Sequence, residues 1–130
     1  MMRFIKRLCT TKFLPIFWTL LTIVLLCLPG STLPSQGLFS IPGFDKYCHI
    51  VLFGGIVLFW AFNLYFRRAQ DLKWRETLVF LALISINLGI VLEFLQFYYI
   101  PNRSFDSGDI FADMGGSIAA LLFHWFVKIK

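Results

Sequence analysis

A chain of 130 residues makes one small domain at most, and this one is 58% hydrophobic, only 15% charged and carries 16 phenylalanines. A soluble fold of that length has too little interior to hide so many apolar side chains, so composition points to the membrane class. The formal net charge of +5 does not signal a nucleic-acid partner, because its placement along the chain has another explanation.

Four apolar runs stand out, roughly Phe13–Leu28, His49–Phe66, Thr77–Tyr99 and Ile110–Val127. Each approaches or reaches the ~20 residues a helix needs to cross a bilayer. Alternating strand patterns are absent. The pattern predicts an all-α membrane protein, a four-transmembrane-helix bundle occupying residues 1–130 as a single domain, with helices over roughly 13–29, 45–66, 76–99 and 107–127. Arg3, Lys6, Arg7 and Lys12 precede the first run, Arg67, Arg68, Lys73 and Arg75 fill the second connection, and Lys128 and Lys130 close the chain. Only Lys46 and Arg103 fall on the other side of an alternating bundle. Positive charge marks the cytoplasmic face. Both termini are therefore expected in the cytoplasm, with the connections around 29–46 and 99–108 facing outward.

The basic start and first apolar run resemble a secretory signal, but no small-x-small cleavage pattern precedes Pro29, so a retained helix is expected. Pro29-Gly30 stops it, and Pro34, Gly37, Pro42 and Gly43 keep the next stretch irregular. Leu38, Phe39, Ile41 and Phe44 make that stretch apolar enough to lie in the membrane interface. Asp45 is expected at the N-cap or first turn of the second helix, at the positive end of its dipole. His49 follows one turn later on the same face. Gly54-Gly55 permit close helix approach, with Gly115-Gly116 expected opposite. Asn63 reads as a satisfied polar group. Cys9, Cys27 and Cys48 form no CxxC pair and read as free thiols; a Cys27–Cys48 bridge is the alternative in an oxidising compartment.

The third helix carries Ser85 and Asn87 at mid-depth and Glu93 and Gln96, which share a face, near its outer end. Tyr98 and Tyr99 sit where an aromatic belt belongs, and Pro101 ends the helix. The fourth helix is expected to begin near Asp106 or Asp109, with Asp106, Asp109 and Asp113 along one stripe. His124 and Trp125 mark the inner interface. Asp45, Lys46, His49, Glu93, Gln96, Arg103, Asp106, Asp109 and Asp113 should thus converge on one polar pocket in the outer leaflet. At 1.5 Å rise per residue, Glu93 lies about 7–9 Å below the end of its helix and Asp113 about 6 Å below Asp109, so similar depths are expected.

Five acids then face two fixed bases, and an unpaired charge at depth costs several kcal/mol. Protonation of a carboxyl, a charged His49, a metal ion or a cationic ligand would each relieve the imbalance. Three readings follow. In a purely structural one, Arg103 pairs bidentately with Glu93 or Asp106 and His49 bonds Asp45. In a second, the pocket takes the head group of a membrane lipid or a lipid-linked cell-wall precursor. In a third, it is a metal-assisted membrane hydrolase. No metal-binding signature such as HExxH or a histidine pair is present, and no cofactor is expected. His49 and His124 lie at opposite faces, which excludes a bis-histidine haem.

Asp45-Lys46-x-x-His49, Glu93-x-x-Gln96 and the run Pro101-x-Arg103-x-x-Asp106-x-x-Asp109-x-x-x-Asp113-x-x-Gly116 together resemble the VanZ-like family of small bacterial membrane proteins. The resemblance covers about residues 29–120. It differs at Asp113, where the family usually has Asn. It implies a multi-pass protein of the bacterial cytoplasmic membrane, acting in the cell envelope. The family's founding member is associated with resistance to the glycopeptide teicoplanin, by a mechanism the resemblance does not supply.

Overall fold

The computed structural model describes Arg7, residues 10–67 and residues 73–127. Arg3, Lys6, Cys9, Arg68, Lys128 and Lys130, which enter the charge and thiol arguments, lie outside the described residues. Four helices account for most of the rest: α1 (Phe13–Leu26), α2 (Phe44–Arg67), α3 (Trp74–Tyr99) and α4 (Ser107–Phe126). Two short 3₁₀ turns, Gly30–Thr32 and Gly37–Ser40, connect α1 to α2. Among the described residues there is no strand. The 24-residue α2 and the 26-residue α3 are long and apolar enough to cross a membrane. The 14-residue α1 is shorter, and α4, which carries Asp109 and Asp113, is less apolar.

Local chemistry sets the helix ends. Gly43, at φ 77°, turns the chain into α2 in a conformation that side chains resist, and Asp45 then lies in the first turn. Ile100 is extended, as the residue before Pro101 should be, and α3 stops there. Asp106 is the N-cap of α4, its side chain accepting from the Gly108 N–H at 2.7 Å.

Burial runs opposite to that of a water-soluble bundle. Thr22, His49, Asn63, Ser85, Glu93, Gln96, Asp113, Ser117 and His124 are buried, while Phe13, Val24, Val51, Phe80, Leu83 and Phe111 are exposed. The apolar core is small: Leu26, Leu52, Phe53, Ile56 and Leu92, with Trp18 and Trp60 against it.

Close approach of α2 to α4 is made by backbone rather than side chains. A Cβ on Gly54 would lie 3.1 Å from the Gly116 carbonyl oxygen, and one on Gly116 would collide with the Ile50 carbonyl. The expected glycine pairing is only half realised, because successive helical residues point apart. Gly55 faces Trp18 of α1, whose indole N–H donates to the Leu52 carbonyl at 2.9 Å, and Gly115 faces nothing within 4 Å. Asn63 donates to the Thr11 carbonyl at 2.9 Å, tying the residues just before α1 to α2. Between α3 and α4, Ser117 donates to Ser85 at 2.9 Å. His124 is buried against the Phe62 ring (4.6 Å), with Nε2 3.2 Å from the Leu58 carbonyl oxygen. Cys27 and Cys48 are both free.

Gly116→Ala should destabilise the protein by about 1–3 kcal/mol, since the methyl has only the Ile50 backbone to displace. Gly115→Ala, facing open space, should leave stability unchanged or slightly raised. Thermal unfolding of both variants in detergent measures the contrast.

Candidate functional site

The start of α2, the end of α3 and the start of α4 meet at one end of the bundle. At its rim stands Lys46, reaching across from α2. Its ammonium donates to Asp106 Oδ2 at 2.6 Å, Asp109 Oδ1 at 3.3 Å and Asp45 Oδ2 at 3.4 Å. The Lys46 and Asp106 side chains are 39% and 43% exposed, whereas that of Asp109 is only 13% exposed. This ammonium holds the Asp106 carboxyl below the ordinary aspartate range, helped by the Gly108 N–H.

One turn deeper, His49 is held between two carboxylates. Its Nδ1 lies 2.8 Å from Asp113 Oδ1, and its Nε2 faces Asp109 Oδ2 at 3.6 Å, too far for a hydrogen bond. The imidazole lies parallel to the Phe53 ring, with centroids 6.3 Å apart. Asp113 is 1% exposed and sits against Gly89 of α3, where a Cβ would come within 2.6 Å of Asp113 Oδ2. Glu93, also 1% exposed, accepts the Asp106 backbone N–H on Oε1 at 2.6 Å. Its Oε2 is buried without a hydrogen-bond partner. A row of alternating charge thus descends from Asp106 through Lys46, Asp109 and His49 to Asp113.

Several expected contacts form differently. Arg103 pairs with neither Glu93 nor Asp106; its Nε donates to the Leu28 carbonyl at 3.3 Å. Gln96 donates to the Leu26 carbonyl at 2.7 Å rather than entering the acid cluster. Both are drawn away by the end of α1, where the final carbonyls lack intrahelical donors and Pro29 offers no N–H. His49 bonds Asp113, not Asp45, because the Asp45 side chain, 57% exposed, turns to the Lys46 ammonium at the rim. Glu93 and Asp113 do not meet side by side. Glu93 bonds the residue just before α4, while Asp113 lies opposite Gly89, one turn deeper on α3.

Gly89 is the residue that sequence reasoning missed. Its signal is the spacing Ser85, Gly89, Glu93, a four-residue stripe of small or polar groups along α3 that faces Ser117 and Asp113. Chemically, the cluster has more acceptors than donors. It suits cations and hydroxyl or amine donors, and opposes a bare phosphate. Among the described residues, one acidic trio brings ligand atoms within 4.8 Å of one another, Asp45, Asp106 and Asp109, and the Lys46 ammonium already bonds all of them.

The chain matches no protein-family model, no curated protein and no solved structure.

The Lys46–Asp106 contact has a pH signature. Because the folded-state pKa of Asp106 is depressed, its contribution is fully present above the unfolded value of about 3.9. It is lost as pH falls through the lower folded value. Lys46→Met should bring Asp106 back toward ordinary titration, so the variant's acid unfolding should begin at a higher pH than the wild type's. Melting temperature followed from pH 6 downward checks this; superimposable acid limbs would contradict it.

Proposed function

We propose that this chain is a VanZ-like integral protein of the bacterial cytoplasmic membrane, with four spans and both termini in the cytoplasm. Its outward-facing acidic site binds the polar head of a membrane lipid or lipid-linked cell-wall precursor. Through that site it acts on the cell envelope and on glycopeptide susceptibility. The apolar exterior of all four helices and the polar interior support the membrane reading. The motif residues that carry the resemblance, Asp45, Lys46, His49, Glu93, Asp106, Asp109 and Asp113, gather at one end of the bundle, which supports their acting together.

One observation carries the binding reading: the cluster is half-exposed at Asp106 and Lys46 and holds, on the side chain that bonds the Asp106 N–H, a buried carboxylate oxygen, Glu93 Oε2, with no partner. A cluster that served only to pin helices together would spend that acceptor internally. It would also use Arg103, the second base at this end, which instead bonds the Leu28 carbonyl. Head-group hydroxyls or amines are the donors that such a site lacks.

Orientation is tested first. Ser40→Cys and Ser104→Cys in a cysteine-free background should react with a membrane-impermeant thiol reagent in intact cells, and Lys73→Cys should not. Labelling only at position 73 would put the site on the cytoplasmic side. Function is tested by Glu93→Gln, which keeps an acceptor for the Asp106 N–H and should fold to wild-type yield. It should nevertheless abolish any teicoplanin-susceptibility phenotype that the wild type confers on a sensitive host. A folded, fully active Glu93→Gln protein would exclude a required carboxylate there.

A further inference from the structure

We infer that His49 Nε2 and Asp109 Oδ2 form the protein side of a binding site for one divalent transition-metal ion of the zinc class. The inference rests on the reading above that the cluster is a ligand site, and adds a metal ion to what it binds.

The first observation is how His49 is held. A metal-ligating imidazole ordinarily hands its second ring nitrogen to a carboxylate or carbonyl, which fixes the tautomer and raises the basicity of the ligating nitrogen. His49 has this arrangement: Nδ1 donates to Asp113 Oδ1 at 2.8 Å, and Asp113 is itself locked against Gly89 and buried. Bonding to Asp113 keeps a proton on Nδ1, and a metal ion would take the place of any proton on Nε2, which faces away from Asp113. The ring also lies parallel to that of Phe53, one turn along the same helix. Three helices contribute to holding one nitrogen in place.

The second observation is what Nε2 faces. Asp109 Oδ2 lies 3.6 Å away, beyond hydrogen-bond reach. Two donors on one tetrahedral ion at bond lengths near 2.0–2.1 Å are about 3.4 Å apart. The observed gap is too long for a hydrogen bond and close to the separation of two ligands that share a cation. Asp109 can spare this oxygen because its other one, Oδ1, is taken by Lys46. Imidazole plus carboxylate favours zinc-class ions over magnesium or calcium, which prefer all-oxygen sets.

The third observation is independent of both. Glu93 Oε2 is a buried acceptor with no partner, at the same end of the bundle. With Oε1 held by the Asp106 N–H, Oε2 is suited to accept from a water or hydroxyl bound to the ion. Two protein ligands, one fewer than open zinc sites ordinarily use, would leave the ion's other positions to such oxygens. A bound dication would also offset the excess of acids and admit a phosphate-bearing head group that the metal-free cluster repels. The neighbouring Asp45, Asp106 and Asp109 trio is the competing location, but there an ion would have to displace Lys46 from three contacts.

The test uses the full chain in detergent with Cys9, Cys27 and Cys48 replaced by alanine, so that no thiol competes, and stripped with a chelator. Zinc chloride titrated by calorimetry should bind at one equivalent, and magnesium chloride at least tenfold more weakly. His49→Ala and Asp109→Asn should each weaken zinc at least tenfold. Asp113→Ala should weaken it about 10–100-fold through loss of ring orientation alone. Asp45→Asn, one carboxylate of the competing trio, should leave zinc affinity unchanged. Imidazole ¹⁵N NMR of the unmutated site gives a readout that survives a variant's failure to fold: zinc should shift the Nε2 resonance of His49 and not that of His124. No zinc binding, or binding lost with Asp45→Asn and kept with His49→Ala, overturns the inference. If zinc does not bind but Glu93→Gln still abolishes the susceptibility phenotype, the metal falls and the head-group reading stands. If zinc binds as described but Glu93→Gln stays fully active, the site holds a metal and the head-group reading falls.

Discussion

A carboxylate with almost no access to solvent must have its charge answered by something equally buried, and Asp113 is the point on which this structure turns. His49 is the answer, at 2.8 Å, and the two residues come from helices that must lie very close for the bond to form. That closeness exists because Gly54 and Gly116 let the α2 and α4 backbones touch. Room for the carboxylate comes from the third helix, where Gly89 has no side chain to occupy the same space. The packing of α2, α3 and α4 and the geometry of the polar cluster are therefore one problem with one solution. Changing any of the three glycines changes both.

Above this pair the electrostatics are of a different kind. Lys46 serves three carboxylates at a half-exposed rim, where water screens each contact and a long side chain must be held in place. Below it, charge is buried and partners are fixed. Breaking a buried pair typically costs about 3–5 kcal/mol, against about 0–1 for an exposed one. The rim can exchange partners with little cost, whereas the deep pair holds its geometry.

Much of this was legible from the residues alone. The four apolar runs became four helices, with ends within three residues of the expected bounds, because Pro, Gly and Asp punctuate the chain where turns and caps need them. Asp45, Lys46, His49, Glu93, Asp106, Asp109 and Asp113 do meet at one end. The pairings within the cluster were not legible. Opposite charge suggested Arg103 for Glu93, but an unsatisfied helix end is also a demand for donors, and it captured both Arg103 and Gln96. Helical spacing put His49 on the same face as Asp45, yet the choice between Asp45 and Asp113 depends on the distance between α2 and α4, which no single-helix pattern encodes. Gly89 was overlooked for a related reason. A glycine inside an apolar run has no chemistry of its own until the opposing side chain is known.

The bonds from Gln96 to Leu26 and from Arg103 to Leu28 span 70 and 75 residues, and the Gly30 N–H reaches the Pro101 carbonyl in the same place. During synthesis, the last turn of α1 emerges long before any of these partners exists. Its carbonyls must wait, bonded to water or lipid head groups, until the turn after α3 has been made and has reached the same side of the bundle. Capping of the first helix's last turn is thus a late step, although α1 can already rest on α2 through Trp18 and Asn63. Truncating the chain before residue 96 would leave α1 with an unfinished end, however well its own sequence favours a helix.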